Sequence, residues 1–235
     1  MGERKEKLGG YLKVSYGLAD LGFIFMVTMS NTYLLMFYTD VAGITAAAAG
    51  TLMMVGRIID SCSPPVIGAV IEKSHMKWGK YRSWLMIGAP LIFITNALMF
   101  LNNSISMPAK AVLACIVYAV FCISTNIAYT GYTSMNSSLT NDQKERVQLS
   151  TFRGQGNALG KCLAGFLLIP MITILGGEKE MNARGFFLAS LAAGLMCVLL
   201  YGNLAWASKG KDIQSIPGNT GAKDSLKVGE MLGLV

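Results

Sequence analysis

The chain has 235 residues, of which 53% are hydrophobic and only 14% charged, against about 25% charged in soluble domains. With a mean hydropathy of +0.48, this composition excludes an ordinary soluble domain. The +7 net charge does not point to nucleic acid, because the basic residues cluster beside apolar spans.

Residues 1–13 are polar and basic, with Arg4, Lys5, Lys7 and Lys13, and read as a cytoplasmic N-terminus. The run from Val14 to Tyr38 is too long and too aromatic for a removable leader, so it is expected to be a first membrane span. Gly2 is not followed by the Ser or Thr that myristoylation requires, the position being Glu6. The second span, Ala46–Ile71, exceeds the about 20 apolar residues a crossing helix needs, yet it carries Arg57 and Asp60 near its middle. A charge at that depth costs about 2.5–3.5 kcal/mol even on insertion scales. Arg57 and Asp60 are three apart, so on a helix they share a face and can neutralise each other. Pro64 and Pro65 lack the N–H groups that would bond the preceding turn, so a bend is expected there, with freed carbonyls facing a polar cavity.

The loop Glu72–Arg82 leads to a third span over 83–101, and a fourth covers 109–135. The polar loop NSSLTNDQKERVQ follows, with Asn141 or Asp142 as the cap of the next helix. A fifth span covers 149–175 and a sixth 185–207. The tail, 208–235, is Gly-rich and basic and suits a cytoplasmic linker. The five cysteines all fall in apolar stretches and read as free, buried thiols rather than disulfides or a zinc site.

The N-terminus, the second-to-third and fourth-to-fifth loops and the tail hold 14 of the 20 basic residues, while the alternate connections hold Lys110, Lys179 and Arg184. Both ends are therefore expected in the cytoplasm. Three cations remain inside spans: Arg57, Arg153 and Lys161. Arg153 either snorkels to the cytoplasmic surface or faces a cavity. Lys161, eight residues on and on nearly the same face, is too deep to snorkel and is expected to face a cavity. Gly154, Gly156, Gly160 and Gly165 form a small-residue stripe suited to close helix packing. Asn31, Asn126 and Asn157 sit at depth, where bonding between helices is the commoner use of an amide. Trp78 and Trp84 read as interface anchors. No Ser/His/Asp grouping, HExxH or Cys/His spacing suggests an enzyme, and the lone His75 falls in a loop.

Five segments in collinear order carry a family resemblance: SYGLADLG (15–22), FYTDVAGITAAAAGTL (37–52), GRIIDSCSPPVIG (56–68), KWGKYRSW (77–84) and LTNDQKERVQLSTFR (139–153). They resemble the glycoside–pentoside–hexuronide:cation symporters of the major facilitator superfamily. The resemblance implies an all-α membrane protein, the amino-terminal six-helix half of an alternating-access carrier in the bacterial cytoplasmic membrane. It implies a sugar or glycoside as solute and coupling to H⁺ or Na⁺. Asp60 matches the first carboxylate of the family's second-helix cation pattern, with Arg57 beside it. Arg153 matches a fifth-helix arginine of the sugar cavity, Tyr132 a fourth-helix aromatic near the solute, and Lys77, Lys80 and Arg82 the basic loop of the cytoplasmic gate. Lys161, Asp20 and Tyr129 are added as candidate solute contacts; Asp20 otherwise reads as an interfacial charge near Lys13.

Four positions depart from the pattern, one of them Gly131, where the family has a proline two residues after the fourth-helix Asp or Asn. The second carboxylate is Pro64, a sugar-binding aspartate of the first helix is Ile24, and the fourth-helix Asp or Asn is Tyr129. One carboxylate replaces a metal ion's hydration poorly, which favours H⁺ over Na⁺. Permanent pairing of Asp60 with Arg57 would instead give an uncoupled facilitator. Family members have twelve spans, so this bundle needs a homodimeric partner or a separate C-terminal six-helix half. Otherwise it is a truncated or degenerate half that acts only on another membrane protein. The closing SLKVGEMLGLV resembles the linker helix before a seventh span.

Overall fold

The computed structural model describes residues 8–74, 76, 79–102, 106–177 and 181–210. His75, Lys77, Trp78, Lys179, the first seven residues and the tail from 211 lie outside the described residues. Those described form six helices: α1 (Gly10–Met36), α2 (Ala46–Lys73), α3 (Lys80–Met99), α4 (Met107–Leu139), α5 (Gln143–Gly176) and α6 (Ala183–Ala207). Each is long and apolar enough to cross a membrane, and most extend beyond the apolar core of the expected span.

Local chemistry sets the ends. Thr45 accepts the Ala48 N–H to start α2, Asp142 accepts the Lys144 N–H to start α5, and Asn182 accepts the Gly185 N–H to start α6. Gly177 closes α5 with a φ of 74°, a left-handed conformation that suits glycine. Helix α1 runs on into a π-helical stretch, Phe37–Val41. Helix α2 continues as helix through Pro64 and Pro65. Their missing N–H groups leave the Asp60 and Ser61 carbonyls without an intrahelical donor.

Two three-helix groups make the bundle. Helices α1, α5 and α6 pack against one another, α4 packs against α2 and α3, and α3 against α6 joins the groups. The α1–α5 seam is the closest approach. A Cβ on Gly156 would overlap the Gly17 carbonyl, and one on Gly160 would press on the Leu21 carbonyl. Of the four glycines read as a packing stripe, Gly156 and Gly160 are where the two backbones touch, whereas Gly154 and Gly165 face open space. Across the gap between α1 and α4, aromatic rings do the packing. Tyr16 stacks on Tyr132 with ring centroids 4.6 Å apart, Phe23 stacks on Tyr129 at 4.8 Å, and Tyr201 of α6 closes the stack at 5.8 Å from Tyr132. Each such pair contributes about 0.5–1.5 kcal/mol beyond its buried area.

Helices α2 and α5 are the least enclosed of the six. The first turn of α1 meets the last turns of α6, where the Tyr11 hydroxyl donates to Asn203 Oδ1 at 2.7 Å. Both described ends of the chain thus emerge on one side of the bundle.

Candidate functional site: two acid–amide pairs

In each helix group a carboxylate and an amide from neighbouring helices meet at depth, with at least one cation near by. In the first, Asn157 of α5 donates to Asp20 Oδ2 of α1 at 3.1 Å. The Arg153 guanidinium acts electrostatically on the Tyr16 hydroxyl and on Asp20, and Lys161 acts on Asp20 as well. In the second group, Asn126 of α4 donates to Asp60 Oδ1 of α2 at 3.2 Å and to Ser63 Oγ at 2.7 Å. The Cys122 thiol reaches the Asp60 carboxylate from one turn earlier on α4. Arg57 stretches to α1, where Nη2 donates to Asn31 Oδ1 at 3.4 Å.

The two pairs lie at similar depth. Asp20 is ten residues from the start of α1 and Asn157 fourteen from the start of α5. Asp60 is thirteen from the end of α2 and Asn126 thirteen from the end of α4. At 1.5 Å per residue all four sit roughly 15–21 Å from the end of the bundle where the described termini emerge. That places them well inside a hydrocarbon layer about 30 Å thick.

The environments differ. Asp20 is 0% exposed, and its Oδ1 has no hydrogen-bond partner. Asp60 is half-buried, between an exposed Arg57 and an exposed Ser61. On α1 the positions following Asp20 on the same face, Ile24, Val27 and Asn31, grow more open along the helix. On α4, Asn126, Tyr129, Thr130 and Thr133 are half-buried.

Several expectations are corrected. Arg57 and Asp60 do not neutralise each other: although they share a helix face, each is taken by a side chain of another helix, and no ion pair forms between them. Asp20 is neither an interfacial charge beside Lys13 nor an exposed solute contact. Lys13 instead forms an ion pair with Glu145, 2.7 Å away. Tyr132 presents no surface to a solute. It is 0% exposed, and its hydroxyl donates to the Tyr16 carbonyl at 2.8 Å. Asn126 and Asn157, by contrast, do bond between helices as expected, each holding an acid on a neighbouring one.

The remaining candidates are placed as follows. Lys161 is exposed, Arg153 and Tyr129 are half-buried. Lys80 Nζ lies 5.5 Å from the centre of the Tyr81 ring. Arg82 Nε donates to the Ala205 carbonyl of α6 at 2.5 Å, a favourable place for a cation at a helix C-terminus. Trp84 anchors through its indole N–H, which donates to Ser74 Oγ at 2.7 Å.

Glu145 went unnoticed in the sequence. It is 6% exposed and ties α5 to α1 through Lys13 and through the Leu8 N–H. Its sole sequence signal was a carboxylate in the first turn of a long helix, which reads equally well as a solvated charge.

The bundle and its acids define a polytopic membrane protein with ionisable groups held between its helices by hydrogen bonds. The sequence profile of the MFS/sugar transport protein family matches residues 15–235. The chain belongs to that family. It is 33% identical over 194 residues to the isoprimeverose transporter of Lactiplantibacillus pentosus, covering 80% of this chain and 40% of that protein. It is 31% identical over 216 residues to the putative glycoside/cation symporter YagG of Escherichia coli (strain K12), covering 90% of this chain and 46% of that protein. The inner membrane symporter YicJ of the same organism is 28% identical over 177 residues, 75% of this chain and 38% of that protein. The chain thus spans less than half the length of these relatives.

Proposed function

We propose that this bundle is one half of a secondary transporter that moves a sugar or glycoside by alternating access, coupled to a cation at Asp60. The observation that carries the reading is the state of Asp60. It sits midway along a membrane helix, half-open, fixed by Asn126 and not consumed by Arg57. A carboxylate kept at that depth without a permanent counterion is available to a mobile one. The names of the relatives, transporters and symporters of glycosides among them, support the solute class.

In this reading Tyr129, Arg153 and Lys161 line the solute path, Arg57 sits beside the coupling acid, and the loop bearing Lys77, Lys80 and Arg82 closes the cytoplasmic side. Both ends lie in the cytoplasm of a bacterial cell, as the lysine and arginine asymmetry directs. Alternating access requires a second bundle to rock against this one. A second copy of the chain or a separate C-terminal six-helix half supplies it, facing the least enclosed helices, α2 and α5. A second reading, a non-transporting half that acts on another membrane protein, draws support from the enclosure of Asp20 and Tyr132, which removes two solute contacts.

The test is uptake of labelled glycosides into vesicles containing the chain, alone and with a co-expressed six-helix partner, beside Asp60→Asn. Saturable counterflow in the wild type, with uphill accumulation lost in the variant, is the expected outcome. Absence of flux under both conditions overturns the carrier and leaves the second reading.

A further inference from the structure

The buried acid of the other group has no part in the reading above. Asp20 is 0% exposed. One of its oxygens takes a single N–H from Asn157 and the other takes none. Arg153 and Lys161 act on it from α5, but neither forms an ion pair with it among the described residues. The other ionisable groups that act electrostatically with it are tyrosines: Tyr16 on its own helix, Tyr129 and Tyr132 on α4, and Tyr201 on α6. The Tyr201 hydroxyl is itself buried and without a partner. An ionised carboxylate deep in a protein requires a close counterion or several donors, and this one has a single donor.

We propose that Asp20 is a second proton-binding site of the bundle, occupied while the α1–α5 seam is closed. An O–H bond forms at Oδ1 with a proton drawn from water, and the proton returns to water when the seam parts. The seam supplies the seal. Gly17, Gly156 and Gly160 let the two backbones meet within a turn of Asp20 on α1 and of Asn157 on α5, and with the seam closed the carboxyl has no exposed surface. A metal ion does not fit the same place, because Asn157 presents its N–H to the carboxylate and the adjacent charges are cations. The proposal uses the carrier reading only for the purpose of the proton; the proton's residence is independent of transport.

The test is infrared difference spectroscopy of the full chain in lipid nanodiscs, which reports protonated carboxyl groups directly. At neutral pH the wild type is expected to show one buried, slowly exchanging carboxylic acid band, lost in Asp20→Asn and retained in Asp60→Asn. Asn157→Leu, which keeps the acid and removes its one donor, is expected to shift the band, and it serves where Asp20→Asn fails to fold. No such band at neutral pH, or a band that neither Asp20→Asn nor Asn157→Leu alters, overturns the proposal. A band that behaves as expected in a chain that transports nothing, either alone or with the co-expressed six-helix partner, would sink the carrier and leave this site standing.

Discussion

The α1–α5 pair and the α2–α4 pair solve the same problem in opposite ways. Both hold a carboxylate with an asparagine from the neighbouring helix, with a cation a turn or so away. The acid sits on α1 in one pair and on α2 in the other, and the amide on α5 and α4 respectively. Bundles of this superfamily contain two three-helix repeats of inverted topology. Helices α1 and α5 in one pairing correspond to α4 and α2 in the other, so acid and amide have exchanged places between related helices. What separates the pairs is the seam. Glycines bring α1 and α5 into backbone contact and enclose Asp20. At the α2–α4 contact Gly56 faces the ring of Tyr118, so a side chain fills the space and Asp60 stays half-open. The same polar chemistry becomes sealed or accessible according to how close two backbones can come.

The contrast can be broken hardest at its tightest point. Gly156→Val forces a branched side chain into the Gly17 carbonyl and is expected to cost at least the about 1–3 kcal/mol of an overpacked core, read as a large fall in the thermal midpoint of the purified chain. Glu145→Ala removes the carboxylate that holds Lys13 beneath α5. An ion pair as enclosed as this one, with side chains 12% and 8% exposed, leaves behind an ammonium held by Gln148 Oε1 alone, and the expected loss is about 1–3 kcal/mol. Chemical denaturation in detergent measures it, and Glu145→Gln should recover part of the loss if hydrogen bonding carries some of it. On the open side, Gly56→Ala is expected to be milder than Gly156→Val in the same assay, because the Tyr118 ring can move and a backbone carbonyl cannot. Asn126→Ala should cost under about 1 kcal/mol, in line with polar contacts between membrane helices, while freeing Asp60; its effect should appear in coupled uptake rather than in the melting curve. Arg57→Ala, at an exposed cation with one long hydrogen bond, is expected to leave the midpoint almost unchanged.

Six spans and their order were determined by the sequence itself, because about 20 apolar residues between polar breaks leave the backbone no alternative to a helix in lipid; the helix ends run past the apolar cores into the flanking polar residues. The cap Asp142 and the intramembrane positions of Arg57, Asp60, Arg153 and Lys161 were legible for the same local reason, whereas the Thr45 cap of α2 emerges only from the structure. Partner choice was not. Three-residue spacing put Arg57 and Asp60 on one face, but Asn31 on α1 and Asn126 on α4 took them separately, and no helical periodicity encodes which neighbour arrives. Likewise Tyr132 and Asp20 looked like wall residues until α1, α4, α5 and α6 closed around them. Depth follows from position along a helix, which the chain specifies alone; enclosure depends on what packs against that helix, and only the assembled bundle decides it.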